Sequence, residues 1–290
     1  MIKGYVEKID NIISKDSGCR GLSEHIKTGD INEAINTLYT SERVIVLTGF
    51  CIKEAMIGET DGPIGAVSLC SGLKKLGKKT LIATDIYSSS LVARACAVMD
   101  IDMDILIIPL EDSKEYIERS FKKFNPDAVV AIERPGVSVD GNLYSMREED
   151  LSDVIPKAED FFEIAKQNKI KTIAIGDGGN EMGMGNIRED VKRYVKHGEK
   201  ICSVSTCDYL IVAGVSNWGG HGIVAGLSLL KGQNLLHTKE IELEMLESIV
   251  DEGAVDGCSK EPDCTVDGIS LEINLKVLED LREVVDGALK

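Results

Sequence analysis

Six short, continuous runs of aliphatic and β-branched residues recur along this chain, at 43–48, 80–84, 104–108, 127–132, 171–175 and 208–213. Each is bounded by polar or turn residues and shows no alternation, the pattern of a strand buried on both faces. Between them lie stretches of helical periodicity, at 63–76, 88–99, 114–124, 157–168 and 221–230. Pro63 suits the first helical position, where its missing N–H is harmless. Ser88, Ser89 and Ser90 offer a hydroxyl cap to the helix that follows them. Strands alternating with helices predict right-handed βαβ units. The expected fold is therefore α/β, a mostly parallel sheet of about six or more strands with helices on both faces. Aromatics make up only 4% of a chain that is 43% hydrophobic, which disfavours an all-β sandwich. The 290 residues read as one compact unit, with a helical N-terminal cap over 1–40. A helical C-terminal segment spans 240–290, as two acidic amphipathic helices at 240–250 and 271–289 joined by a Gly- and Cys-rich connection.

The formal net charge of -16 repels phosphate backbones, so nucleic acid is not an expected partner. For the chain as a whole that charge serves solubility. The opening MIKGYVEKIDNIIS is amphipathic and broken by charge, unlike a secretory leader. No run approaches the roughly 20 apolar residues of a membrane span. Eight cysteines without a CxxC pair fit a reduced, cytoplasmic setting. The Cys202/Cys207 and Cys258/Cys264 spacings do not match a structural zinc module. Gly-rich loops and apolar helices are compatible with a homo-oligomer.

The residues just after each strand are more informative. The first strand runs into GFCIKEAMIGETDGP, which sets Glu59 and Asp61 in a Gly-rich loop before a helix. Asp85 follows TLIAT, Glu133 follows DAVVAI, and Asp177 follows KTIAIG with Glu181 close behind in GDGGNEMGMG. In a parallel sheet all these positions fall on the carboxyl edge, where open α/β folds bind ligands. An acidic crevice is therefore expected there. Taken singly, an acid after a strand is more often a helix cap or a loop residue. Clustered carboxylates take up protons or destabilise the fold unless a cation relieves their repulsion. All-oxygen donors suit Mg²⁺ or Mn²⁺. The candidate ligands of a divalent metal are thus Glu59, Asp61, Asp85, Glu133, Asp177 and Glu181, with Asp177, Glu133 and Glu181 as candidate catalytic acids.

Arg20, Arg134 and Arg147 lie near these acids in sequence, either to grip a substrate carboxylate or phosphate or to pair the acids. Asn180 and Asn217 are further substrate-binding candidates. His197 and His221 fit surface or core roles better than ligation, and Trp218 fits packing. GxGxxG and GxSxG are both absent, which disfavours dinucleotide binding and a serine-nucleophile elbow.

The strings DSGCRG (16–21), TGF (48–50), ETDGP (59–63), AIERPG (131–136), DGNLYSMR (140–147), GDGGNEMGMG (176–185) and AGVSNWGG (213–220) occur in this order. A looser VDG comes later, at 266–268. Together they resemble the D-glutamate cyclase-like C-terminal domain family. In vertebrates that domain is the C-terminal half of a larger mitochondrial protein with D-glutamate cyclase activity. This sequence departs from vertebrate relatives in LEINLKVLEDL, which has no histidine. The resemblance implies a metal-dependent enzyme acting on a small anionic substrate. One reading is the loss of water from D-glutamate to give 5-oxo-D-proline, with Glu181 moving the proton. The alternatives are a manganese- or magnesium-dependent phosphatase acting on a phosphorylated metabolite, and a non-enzymatic module that binds metal or metabolite.

Overall fold

The computed structural model of the protein describes residues 2–15 and 22–290. Its strands are β1 (Arg43–Thr48), β2 (Cys51–Ile52), β3 (Ile57–Gly58), β4 (Lys79–Thr84), β5 (Asp104–Ile107), β6 (Ala128–Ile132), β7 (Lys171–Gly176) and β8 (Tyr209–Val212). The helices are α1 (Ile2–Ile13), α2 (Leu22–His25), α3 (Ile31–Thr40), α4 (Pro63–Lys75), α5 (Ser89–Val98) and α6 (Ser113–Phe124). They continue with α7 (Asp160–Gln167), α8 (Arg188–Tyr194), α9 (Gly198–Ile201), α10 (Ser216–Lys231), α11 (Lys239–Asp251) and α12 (Leu271–Ala288). The fold is α/β, as the alternation of runs predicted.

All six long strands are parallel, in the order β5-β4-β1-β6-β7-β8. The chain thus builds outward from β1 to one edge, returns to its other side at β6, and builds to the opposite edge. The carboxyl ends of β1 and β6 form the switch point, where loops diverge and leave room for a ligand. A hairpin of β2 and β3 stands directly after β1.

The strands read as continuous apolar runs because successive residues serve opposite faces. Val44, Val46, Ile82, Val130 and Ile175 pack under α1, α3, α4, α5, α10, α11 and α12. Ile45, Leu47, Ala83, Val129 and Ala131 face α6, α7 and α8. Each such side chain, taken out of water, contributes about 1.5–3 kcal/mol. Helices α1 and α3 lean on α10, and α1 also on α12, so the N-terminal helices thicken one helical layer. Among the described residues no helix is long and apolar enough to cross a membrane.

Two local expectations change. Ser88 makes no side-chain cap to α5. The Asp85 carboxylate takes that role, accepting from the backbone N–H of Tyr87 (3.0 Å) and Ser88 (3.1 Å). Helix α10 begins at Ser216, earlier than periodicity suggested, because its glycines are a packing surface and do not mark a loop. A Cβ on Gly220 would lie 2.7 Å from the Gly65 carbonyl oxygen, and one on Gly65 would lie 2.7 Å from Asn217 Cα. Both obstacles are backbone and cannot swing aside. Gly220→Ala is therefore expected to destabilise the protein by about 1–3 kcal/mol through overpacking. A urea midpoint equal to that of the parent would show that α4 and α10 can part without cost.

Candidate metal centre and cavity

Three loops at the carboxyl edge bring carboxylates together. Asp61 ends the segment that runs from β3 to α4, Glu133 follows β6 at once, and Asp177 and Glu181 follow β7. A fourth loop, between α11 and α12, supplies Asp267. Donor oxygens of Asp61, Asp177 and Asp267 lie within 4.8 Å of one another, as do those of Glu133, Asp177 and Glu181. Asp177 belongs to both triads, and all five side chains are buried.

Each acid is held by its own local chemistry. Asp61 accepts from the N–H of Gly62 (2.9 Å), Asn217 (2.8 Å) and Ser216 (2.9 Å), which ties it to the start of α10. Glu181 accepts from the N–H of Asp177 (2.9 Å), Gly178 (2.7 Å) and Gly179 (2.6 Å), so it clasps its own glycine-rich turn. The loops bearing Glu133 and Glu181 are zipped by Met182 N–H to Arg134 O (2.8 Å) and Gly136 N–H to Asn180 O (2.9 Å).

Glu133 and Asp267 occupy left-handed backbone, at φ 45° and 56°. That conformation crowds Cβ and is uncommon for residues other than glycine. Gly62, at φ 98°, makes room for Glu133, since a Cβ there would sit 2.8 Å from Glu133 Cβ. Burial raises the Glu133 pKa well above its ordinary value, and Glu181, Asp61, Glu59 and Asp267 raise it further. Ser216 Oγ donates to Glu133 Oε2 at 2.6 Å. The donor atoms of these buried oxygen ligands could hold a hard cation.

A cavity of about 370 Å³ opens beside this cluster. Its buried lining includes Glu59, Glu133 and Asn180, and its more exposed lining includes Lys53, Arg147, Lys196 and Lys260. Arg147 donates to Cys258 O (2.7 Å), and Lys53 pairs with Asp153 (2.6 Å). Lys260 pairs with Glu54, which joins the β2–β3 hairpin to the loop before α12. Burial, with Asp85 and Glu59, pushes the thiol of Cys51 in this wall to about 12, so it stays protonated and unreactive.

Of the acids expected at this edge, Asp61, Glu133, Asp177 and Glu181 fall in the two triads, and Glu59 lines the cavity. Asp85 does not join them. Its carboxylate is ion-paired with Arg134 in the core and caps α5, so it is engaged two strands away from Glu133. Arg134 is likewise no substrate grip. It is 1% exposed and donates to Gly49 O (3.0 Å), Asp85 and Pro156 O (2.7 Å). Arg20 lies outside the described residues. Asn217 spends its amide on the scaffold, with Oδ1 accepting from Gly62 N–H (3.0 Å) and Gly65 N–H (2.6 Å) and Nδ2 donating to Thr60 O (3.1 Å). Asn180 lines the cavity while donating to Tyr144 O (2.7 Å). Trp218 packs in the core and donates to Asn274 (2.8 Å). Sequence reasoning passed over Asp267, Ser216 and the three cavity lysines. The dipeptide Asp267–Gly268, within a string already matched to the family, was the available signal for the first.

A family model described as D-glutamate cyclase-like, C-terminal, matches residues 9–282. The mitochondrial D-glutamate cyclase of Homo sapiens is 31% identical over 239 residues, which is 78% of this chain and 39% of that protein. The chain thus spans about two fifths of that relative's length. An exopolyphosphatase-related protein from Bacteroides fragilis superposes with a TM-score of 0.43 at 10% identity, covering 90% of this chain and 58% of that one.

Proposed function

The chain belongs to the D-glutamate cyclase-like C-terminal family, and on that premise we propose that it is a divalent-metal-dependent enzyme that closes D-glutamate to 5-oxo-D-proline. The observation that carries this reading is one cavity with buried acids at its base and basic side chains toward solvent. Mg²⁺ or Mn²⁺ held by Glu133, Asp177 and Glu181, or by Asp61, Asp177 and Asp267, would supply Lewis acidity toward a carboxylate oxygen.

Arg147 and Lys196 bind the α-carboxylate of the substrate and orient its amine for five-membered ring closure. Glu59 lines the cavity and stands outside both triads, so it is the better proton carrier. Glu181 has its two oxygens turned to three backbone N–H groups. The Glu59 carboxylate accepts the ammonium proton, the nitrogen bonds to the distal carboxyl carbon and sheds a second proton, and both protons are passed to the departing carboxyl oxygen, which leaves as water.

Purified protein incubated with D-glutamate and Mn²⁺ is expected to yield 5-oxo-D-proline above a heat-killed control. No product under those conditions removes the cyclase reading. Metal-stimulated turnover of p-nitrophenyl phosphate in the same preparation would put a phosphomonoesterase in its place.

A further inference from the structure

A second cluster of ligand-type side chains lies inside the helical layer and has no part in that chemistry. His221 comes from α10, His237 from the connection after it and Glu242 from the first turn of α11. Two imidazole nitrogens and a carboxylate oxygen of these residues lie within 4.8 Å of one another. The side chains are 1%, 1% and 7% exposed. His221 Nε2 is 3.2 Å from Glu242 Oε1, and His237 Nε2 is 2.5 Å from Glu242 Oε2. At the far side of the rings, Ser68 Oγ of α4 sits 3.1 Å from His221 Nδ1 and 3.3 Å from His237 Nδ1. The two rings meet edge to face, with centroids 5.2 Å apart.

Counting hydrogens exposes a deficit. Four polar contacts close this ring, and each needs one hydrogen. Ser68 supplies one and two neutral imidazoles supply two, so the ring is one positive charge short. A proton can close it, as an imidazolium paired with the Glu242 carboxylate or on the carboxyl itself, and so can a cation seated between the three donors.

We propose that His221 Nε2, His237 Nε2 and a Glu242 carboxylate oxygen form a binding site for a transition-metal ion of the zinc type. With both Nε2 lone pairs turned to the metal, both Nδ1–H groups donate to Ser68 Oγ, whose two lone pairs match them. This is the outer support that metal-bound histidines use. Two imidazoles and one carboxylate are donors for zinc or cobalt, whereas the all-carboxylate triads suit a harder cation. The two sites therefore differ in chemistry as well as position. Three protein donors leave one place in a tetrahedral shell. Enclosed among α4, α10 and α11, the ion is structural, and it ties α11 to the central helix.

The full chain, dialysed against excess Mg²⁺ so that the carboxylate triads hold no transition metal, is expected to retain about one equivalent of zinc by mass spectrometry. X-ray absorption of that ion is expected to show imidazole scattering. His237→Gln and His221→Gln are each expected to lose the metal and several degrees of Tm. If both variants fail to fold, the parent decides alone. Absence of transition metal in the purified chain, together with no uptake and no rise in Tm on adding Zn²⁺ or Co²⁺, would overturn the site and leave a proton to close the ring.

Discussion

Glu133→Gln is expected to abolish the thermal response to Mn²⁺ or Mg²⁺ and to lower turnover at least about 100-fold, the loss seen when even the outer support of a metal ligand is broken. The same change is expected to leave the cation-free protein as stable as the parent, or more so. Gln keeps the shape of Glu and still accepts from Ser216 Oγ, but it carries no charge. The sign comes from the direction of the Glu133 shift. Its folded pKa lies above the ordinary 4.5, through burial and four neighbouring acids. A carboxyl shifted upward stabilises the fold fully below its unfolded pKa, and that contribution is lost as pH rises through the folded one. Above that point the parent holds an extra anion in a crowded site and the variant does not. Melting curves of both proteins across pH, with and without Mn²⁺, read the effect directly. A parent that gains nothing from the cation at any pH, or a variant that gains as much, would remove the metal centre from this edge of the sheet.

The second large effect is structural. Arg134→Met is expected to cost about 3–5 kcal/mol, because it strands the Asp85 carboxylate in the core. Adding Asp85→Asn should restore a good part of that loss. Asn carries no charge and still accepts from the start of α5 through its amide oxygen. Equilibrium urea unfolding of the two single variants and the double variant measures the coupling. A substrate-gripping arginine behaves otherwise. If Arg134→Met left the urea midpoint in place and only raised KM, the side chain would have to reach the cavity in solution.

The strands were legible because a strand covered on both faces must be apolar throughout, and a run such as Val44–Leu47 has no competing explanation. That Glu133 and Asp177 share one side of the sheet was legible for a related reason. Both come directly after strands and so were expected on the same carboxyl edge, while the adjacency of those strands, with Ile132 in register with Ile175, came only from the structure. Strand order was not legible, since no local pattern records which strand lies beside which. Asp85 illustrates the cost, because β4 lies on the far side of β1 from β6. Consecutive side chains at a strand end leave in different directions, so Glu133 and Arg134 were poor candidates for the same crevice. Asp267 had no strand before it, and its loop is brought to the sheet by contacts distant in sequence, such as Thr60 N–H to Val255 O (3.0 Å) and Thr60 Oγ1 to Thr265 O (2.9 Å).

The two triads that share Asp177 close loops of very different size. One is complete within the stretch from Glu133 to Glu181, while the other reaches from Asp61 to Asp267, across most of the polypeptide. During synthesis the first can assemble as soon as β7 pairs with β6, whereas the second must wait for the last helices to dock. A cation held by the wider triad would therefore report completed folding, since only molecules in which the Asp61 and Asp267 loops have met could offer it all three donors.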